Sequence, residues 1–221
     1  MVAIPRGSGD DAALTRYHSA AMTTSDTPPD IRAAGAPVQV ALPDWIDDVV
    51  DWERPYRTDE EKMRLAIALS RENVLRDAGG PFGAAIFEEL SGRLVAVGVN
   101  SVVRLNNSTL HAEMVAFQFA QARRATFSLS ADGLPAHTLA TSCDPCAMCL
   151  GATLWSGVRR VLCGATRDDA MLLQFDAGPV FASSWAYLKR KGLEVRRGFL
   201  REEAVEVFDL YRQRGGAIYN G

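Results

Sequence analysis

Apolar and polar positions change rhythm several times along the chain, and each change marks an element. From Thr58 the rhythm is helical: Met63, Ile67, Ser70 and Val74 recur on one face, and Ala66 and Leu69 widen it. Thr58-Asp59-Glu60-Glu61 reads as a capping box, with Thr58 as N-cap and Glu61 returning to its amide. Gly79-Gly80-Pro81 stops the helix. Two apolar runs, 82–87 and 94–99, flank a turn over 88–92 and predict a hairpin. Asn106 to Ser108 is expected to open a second helix, over 111–123. Strands over 137–141, 160–164 and 194–199 then alternate with helices over 146–155, 183–191 and 202–214. A hairpin followed by such alternation predicts an α/β fold, a mixed sheet with helices on both faces.

Before Pro43 the rhythm is lost. Ala, Ser, Thr, Pro and Asp dominate, and Thr27-Pro28-Pro29-Asp30 and Gly35-Ala36-Pro37 break any period. Residues 1–43 therefore read as an N-terminal extension, mostly loop, with one short helix around 12–17. Residues 44–221 read as the folded domain, and no internal repeat is visible.

Composition narrows the class. A hydrophobic fraction of 48% across 221 residues is ample for one buried core. No apolar run approaches the roughly 20 residues that span a bilayer, and residues 1–10 lack the apolar stretch of a secretory signal. Three of the four cysteines, Cys143, Cys146 and Cys149, crowd into one segment, as in a metal site of a reducing compartment rather than a disulfide framework. We therefore expect a cytoplasmic protein. A net charge of −3 weighs against a phosphate-tracking surface, so nucleic acid is not the expected partner. The basic pairs Arg123-Arg124, Arg159-Arg160 and Arg196-Arg197 read as solvated faces. His18 and His137 have no evident partner.

Two segments carry chemistry: His111-Ala112-Glu113 and Pro145-Cys146-Ala147-Met148-Cys149. Singly, each has a plain reading, as a solvated cap, a redox pair or an acid complementing a helix dipole. Together they supply one imidazole and two thiolates for Zn²⁺ and leave the fourth tetrahedral corner open, as in catalytic sites. Water at such a corner ionises near pH 7 instead of about 15.7. Residues two apart on a helix do not share a face, so His111 can ligate while Glu113 addresses the substrate. The Cys-x-x-Cys pair belongs at a helix start, where the positive dipole end favours thiolates, and Pro145 pre-sets that start. The order His-x-Glu, then Pro-Cys-x-x-Cys, is the zinc deaminase signature, in which the Glu shuttles protons and is not a ligand. Cys143 is the one nearby residue able to close the site as a fourth ligand. It and Cys163, in an apolar strand, read as unligated.

On these residues the chain resembles the cytidine deaminase-like superfamily, and within it the bacterial guanine deaminases. The similarity extends over Gly79-Gly80-Pro81-Phe82-Gly83-Ala84, Gly98-Val99-Asn100, Trp155-Ser156-Gly157, Phe175-Asp176-Ala177-Gly178 and the terminal Ile218-Tyr219-Asn220. It runs from about Asp59 to the end. The resemblance implies a three-layer α/β/α sandwich around a mixed five-stranded sheet, Zn²⁺ as cofactor, and a homodimer whose C-terminal segment exchanges to cover the partner's site. It implies hydrolytic deamination in purine metabolism, guanine to xanthine plus ammonia. Glu113 would be catalytic, and His111, Cys146 and Cys149 the metal ligands. Asn100, Phe82, Trp155, Phe175, Asp176, Ala112 and Tyr219 would contact the substrate.

One departure bears on the substrate. In guanine deaminases the residue after the Phe-Asp pair is acidic; here it is Ala177, whose methyl can neither accept guanine N–H protons nor relay one. Either Asp176 substitutes, or the ring differs: cytosine, a pterin, an aminotriazine or a nucleoside. A tRNA adenosine deaminase and a non-catalytic zinc module are the remaining alternatives.

Overall fold

The computed structural model describes residues 38–219. The expected helix around 12–17, and His18, lie outside the described residues. A short helix, α1 (Ile46–Val49), precedes α2 (Asp59–Leu75). The hairpin β1 (Gly83–Glu88) and β2 (Leu94–Val99) follows, then α3 (Ala112–Arg124), β3 (His137–Cys143), α4 (Ala147–Ser156) and β4 (Arg160–Ala165). The remainder is α5 (Arg167–Leu172), α6 (Ala182–Arg190), β5 (Glu194–Arg196) and α7 (Arg201–Gln213). The strands lie in the order β2-β1-β3-β4-β5. β1 is antiparallel to both β2 and β3, whereas β3, β4 and β5 are parallel. This is the expected mixed five-stranded sheet.

Strand alternation feeds two cores. Ala85, Phe87, Val97 and Val99 join Met63 and Leu69 of α2 and Val207 and Phe208 of α7 on one face. Ala84, Ile86, Leu139 and Val161 join Phe117 of α3, Leu150 of α4 and Trp185 and Leu188 of α6 on the other. A bulge at Ile86/Phe87 leaves Val95 without an opposite residue. Val95 and Ala96 consequently both enter the second core.

The Thr58 capping box forms as expected: Glu61 N–H donates to Thr58 Oγ1 at 3.1 Å, and Thr58 N–H donates to Glu61 Oε2 at 3.0 Å. The first turn of α2 is fastened to the sheet through Asp59, which receives Arg160 at 2.5 and 2.8 Å and Arg196 at 3.0 Å. Among the described residues no helix is long and apolar enough to cross a membrane.

Four expectations change. Residues 106–108 do not open a helix. Asn107 Oδ1 instead accepts from Thr109 N–H at 3.0 Å and from its hydroxyl at 2.7 Å, a local turn that competes with helix. The last strand stops at Arg196, because Arg197 turns its side chain to Asp144 and Gly198 and Leu200 take positive φ. The basic pairs are largely spent internally: Arg124 on Glu88, Arg160 on Asp59 and Glu194, Arg197 on Asp144, and Arg123 stacked 5.0 Å over Trp52. His137 has a partner, with Nδ1 3.0 Å from Leu129 O in a fully buried site that lowers its pKa.

Candidate active site

One end of the sheet carries the chemistry. Asn100 follows β2, Phe82 precedes β1, Cys143 closes β3, and Arg167 follows β4, so these residues stand in a row along that edge. Crevices at the carboxyl ends of parallel strands are the usual ligand sites of such sheets. All four residues line one cavity, together with His111, Glu113 and Cys146.

The metal-binding set is built from two helix starts. His111 is the N-cap of α3 and Cys146 the N-cap of α4, both with extended backbone. Glu113 and Cys149 lie in the first turns that follow. Ligand atoms of His111, Cys146 and Cys149 lie within 4.8 Å of one another, and His111 Nδ1 is 3.4 Å from Cys146 Sγ. Two donors bound tetrahedrally to one zinc at about 2.0–2.3 Å would be separated by roughly 3.5 Å. The set therefore fits Zn²⁺. Cys143 does not complete it: its thiol donates to Thr166 O at 3.7 Å.

The electrostatics suit the same reading. The hydrogen bond from the Cys149 thiol, with help from His111, holds Cys146 down to about 4, a thiolate at neutral pH. Burial pushes His111 down, but the Cys146 hydrogen bond and charge outweigh it and leave the imidazole above its ordinary value. Glu113 is buried, and burial with the Cys146 charge raises its pKa. A carboxyl raised towards neutrality is suited to taking and giving a proton.

Most of the expected substrate contacts assemble. Phe82 and Phe175 meet edge to face at 5.1 Å, and Phe175 meets Tyr219 at 5.2 Å. Asn100, Asp176 and Tyr219 also line the cavity. Tyr219 reaches the cavity of its own chain through a folded-back tail, in which Gly216 N–H donates to Tyr211 O at 3.0 Å and the Tyr211 hydroxyl donates to Ala217 O at 2.6 Å. Ala177 faces the cavity as the sequence implies, and its carbonyl accepts from Ala147 N–H at 2.9 Å, tying this loop to the start of α4.

Two of the expected residues stand apart from the cavity lining. Trp155 is 79% exposed and does not line the cavity. It lies about two and a half helical turns beyond Cys146, so it emerges on the opposite side of α4, about 13 Å along the axis. Ala112 is wholly buried in the second core, and its side chain does not line the cavity either.

Three contributors escape sequence reasoning. Asn73, fully buried on α2, donates to Gly80 O at 2.9 Å and Asn100 O at 3.0 Å, which fixes the Asn100 backbone. Asp144 and Arg167 both line the cavity. Asp144 was legible only as a neighbour of Cys143. Its partner Arg197 comes 53 positions later.

The sequence profile of the cytidine and deoxycytidylate deaminase zinc-binding region matches residues 56–165. The guanine deaminase of Bacillus subtilis (strain 168) is 39% identical over 117 residues, 53% of this chain and 70% of that protein. A solved guanine deaminase from Nitrosomonas europaea is 40% identical, with a TM-score of 0.76 over 79% of this chain and 96% of its own. A tRNA-specific adenosine deaminase of Buchnera aphidicola is 29% identical over 157 residues, 70% of this chain and 95% of that protein. The paired helix starts, the His-Cys-Cys set and the buried Glu113 accord with these similarities, and the chain belongs to the cytidine and deoxycytidylate deaminase family of zinc-dependent hydrolytic deaminases.

Proposed function

We propose that the chain deaminates guanine to xanthine and ammonia. The observation that carries this reading is a cavity lined by His111, Cys146 and Glu113, with Cys149 within ligand distance of the first two, under an aromatic cover of Phe82, Phe175 and Tyr219. Similarity over nearly the full length of a guanine deaminase supports it.

Zinc, when bound, supplies the Lewis acidity that makes water a nucleophile at neutral pH. Glu113 takes a proton from the attacking water, delivers it to the ring nitrogen beside the carbon under attack, then takes the proton left on the added hydroxyl and passes it to the departing amine as the carbonyl forms. Asn100 Oδ1 is engaged by Val102 N–H at 3.3 Å, which leaves its NH₂ to donate to a ring acceptor. Asp176, whose Oδ1 accepts from Gly178 N–H at 2.8 Å, offers the carboxylate that accepts ring N–H groups in place of an acid at position 177. The aromatic cover excludes water and holds the flat ring against the nucleophile.

Ala177 keeps a second reading open, a different small amino-heterocycle. Ammonia release across purines, pyrimidines, pterins and triazines tests both, and guanine should be the best of the panel. Glu113→Gln should lose at least about 10²-fold in turnover and keep its zinc. Near-normal activity in that variant would remove Glu113 from the role.

We infer a small-molecule substrate rather than a nucleic acid, because the basic pairs, Arg159 apart, are engaged by carboxylates and rings of the same chain. The four cysteines form no disulfide, in keeping with a reducing cytoplasm. We further propose a homodimer, on the exposure of Trp155, Leu172 and Phe181.

A further inference from the structure

We propose that Arg167 selects the substrate: its guanidinium reads the oxo group on the edge of the ring whose amine is removed. The inference rests on the guanine reading above and names the group that enforces it.

Arg167 is the arginine found among the residues lining the cavity; Arg104, which likewise makes no ion pair among the described residues and has a buried, unpaired Nε, lies outside it. Arg124, Arg160, Arg197 and Arg201 each pair with a carboxylate. Arg167 lines the cavity and forms no ion pair among the described residues. One of its nitrogens, Nη1, donates to Val180 O at 3.2 Å, while Nε is buried without a hydrogen-bond partner. A buried donor left unpaired is costly; Nη2, which makes no hydrogen bond among the described residues and is not sealed from solvent, is the donor that a ligand acceptor can reach.

Its position is keyed to the metal-binding loop. Arg167 N–H donates to Asp144 Oδ2 at 3.0 Å. The Asp144 side chain is 1% exposed, is held by Arg197, and directly precedes Pro145-Cys146. The guanidinium is thus tethered at its backbone and at Nη1, on a wall fixed relative to Cys146.

The neighbouring groups define what this wall recognises. Asp176 also lines it and can only accept while ionised, whereas Arg167 can only donate. A carboxylate and a guanidinium lining one cavity can engage an N–H and a C=O of the same ring, the groups that make the lactam edge of an amino-oxo heterocycle. Asn100 stands at the other end of the row, beyond β1 and β3, with His111, Glu113 and Cys146 lining the same cavity. A ring held at both ends would present its amine to the centre. Arginine is well suited to this task, because its planar fork meets the acceptors of a guanine edge with fixed geometry.

The test compares guanine with 2-aminopurine, which lacks the oxo group, in the zinc-loaded wild type and in Arg167→Met. The wild type should prefer guanine. Arg167→Met should raise KM for guanine roughly tenfold to a hundredfold, leave kcat within about threefold, and shift 2-aminopurine by less than about threefold. Parallel losses on both rings would mean that Arg167 merely supports the loop, and an unchanged guanine KM would remove it from recognition; either overturns the proposal. If Arg167→Met fails to fold, the wild type decides alone: equal kcat/KM for the two purines overturns it. Absence of guanine turnover in the wild type sinks the substrate assignment and this inference together, whereas guanine turnover with no selectivity sinks this inference only.

Discussion

A methyl group placed on Gly80 would lie 1.8 Å from the hydroxyl oxygen of Tyr219, and one placed on Gly79 would lie 2.2 Å from the carbonyl oxygen of Asn100. The two neighbours touch different things, so the same substitution should act differently. At Gly79 the obstacle is backbone, held by the Asn73 amide. Gly79→Ala should cost about 2–3 kcal/mol and lower Tm by roughly 5–10 °C. At Gly80 the obstacle is the end of a side chain on the tail. Gly80→Ala should leave Tm within a few degrees but push Tyr219 off the cavity and raise KM about tenfold. Thermal unfolding and steady-state kinetics on both variants check this. Equal losses of Tm would mean that the tail is clamped as firmly as the strand. The sequence marked Gly79-Gly80-Pro81 as a helix stop, but α2 ends earlier, at Leu75, with Asp77 at positive φ. It could not mark the approach to the tail, because a local pattern carries no information about a tyrosine at the far end of the chain. The same limit hid Asn73, whose buried donors serve two carbonyls outside its own helix.

Helix α5 shows why short elements were missed while long ones were not. Six residues are too few for a helical period to declare itself, although Thr166-Arg167-Asp168-Asp169 repeats the logic of Thr58-Asp59-Glu60-Glu61. Thr166 N–H donates to Asp169 Oδ2 at 2.8 Å, and Asp169 N–H returns to Thr166 Oγ1 at 3.3 Å. Asp169 also receives Arg201, at the start of α7, at 2.8 and 2.5 Å. That ion pair, with the Thr166 bonds, holds Asp169 at about 2. The folded-state value lies below the ordinary carboxylate value, so the contribution is present above pH 4 and is lost as pH falls from about 4 to about 2. Asp169→Asn should therefore lower Tm by several degrees at pH 7, from about 1–2 kcal/mol of lost cap and ion pair. The gap to wild type should close across that acidic window. A gap that persists unchanged at pH 2 would show that charge on Asp169 is not its source. Because α5 begins with Arg167, the same variant should also weaken guanine binding.

At the scale of the whole molecule, what the sequence disclosed was periodic or compact: the α/β alternation, the capping box, the metal-binding residues clustered at two helix starts. What it concealed depends on residues distant in the chain, such as Arg197 on Asp144 or Arg160 on Asp59. Trp155 is of neither kind: its outward position follows from local helical spacing, about two and a half turns beyond Cys146. Its neighbourhood is largely apolar. A groove beside it is lined by Leu150, Gly151 and Leu154 of α4 and by Tyr187 and Leu188 of α6, with Ser183, Ser184 and Arg190 as its polar residues. Phe181, 63% exposed, follows Pro179 and Val180 at the edge of the same region. Exposed apolar patches of this kind mark association surfaces. A tryptophan offers about 150 Å² or more, so covering Trp155 is worth roughly 4 kcal/mol as an upper bound, and a two-fold interface uses it twice. The protein should therefore sediment at twice the 24.0 kDa of one chain at micromolar concentration. Trp155→Glu should weaken association at least about a hundredfold and yield a folded monomer by the same measurement. Ala147, next to Cys146, also lines the groove, so that monomer should turn over substrate more slowly with its zinc content unchanged. A wild-type monomer at tens of micromolar, or a Trp155→Glu variant that remains dimeric, would move the interface elsewhere or abolish it.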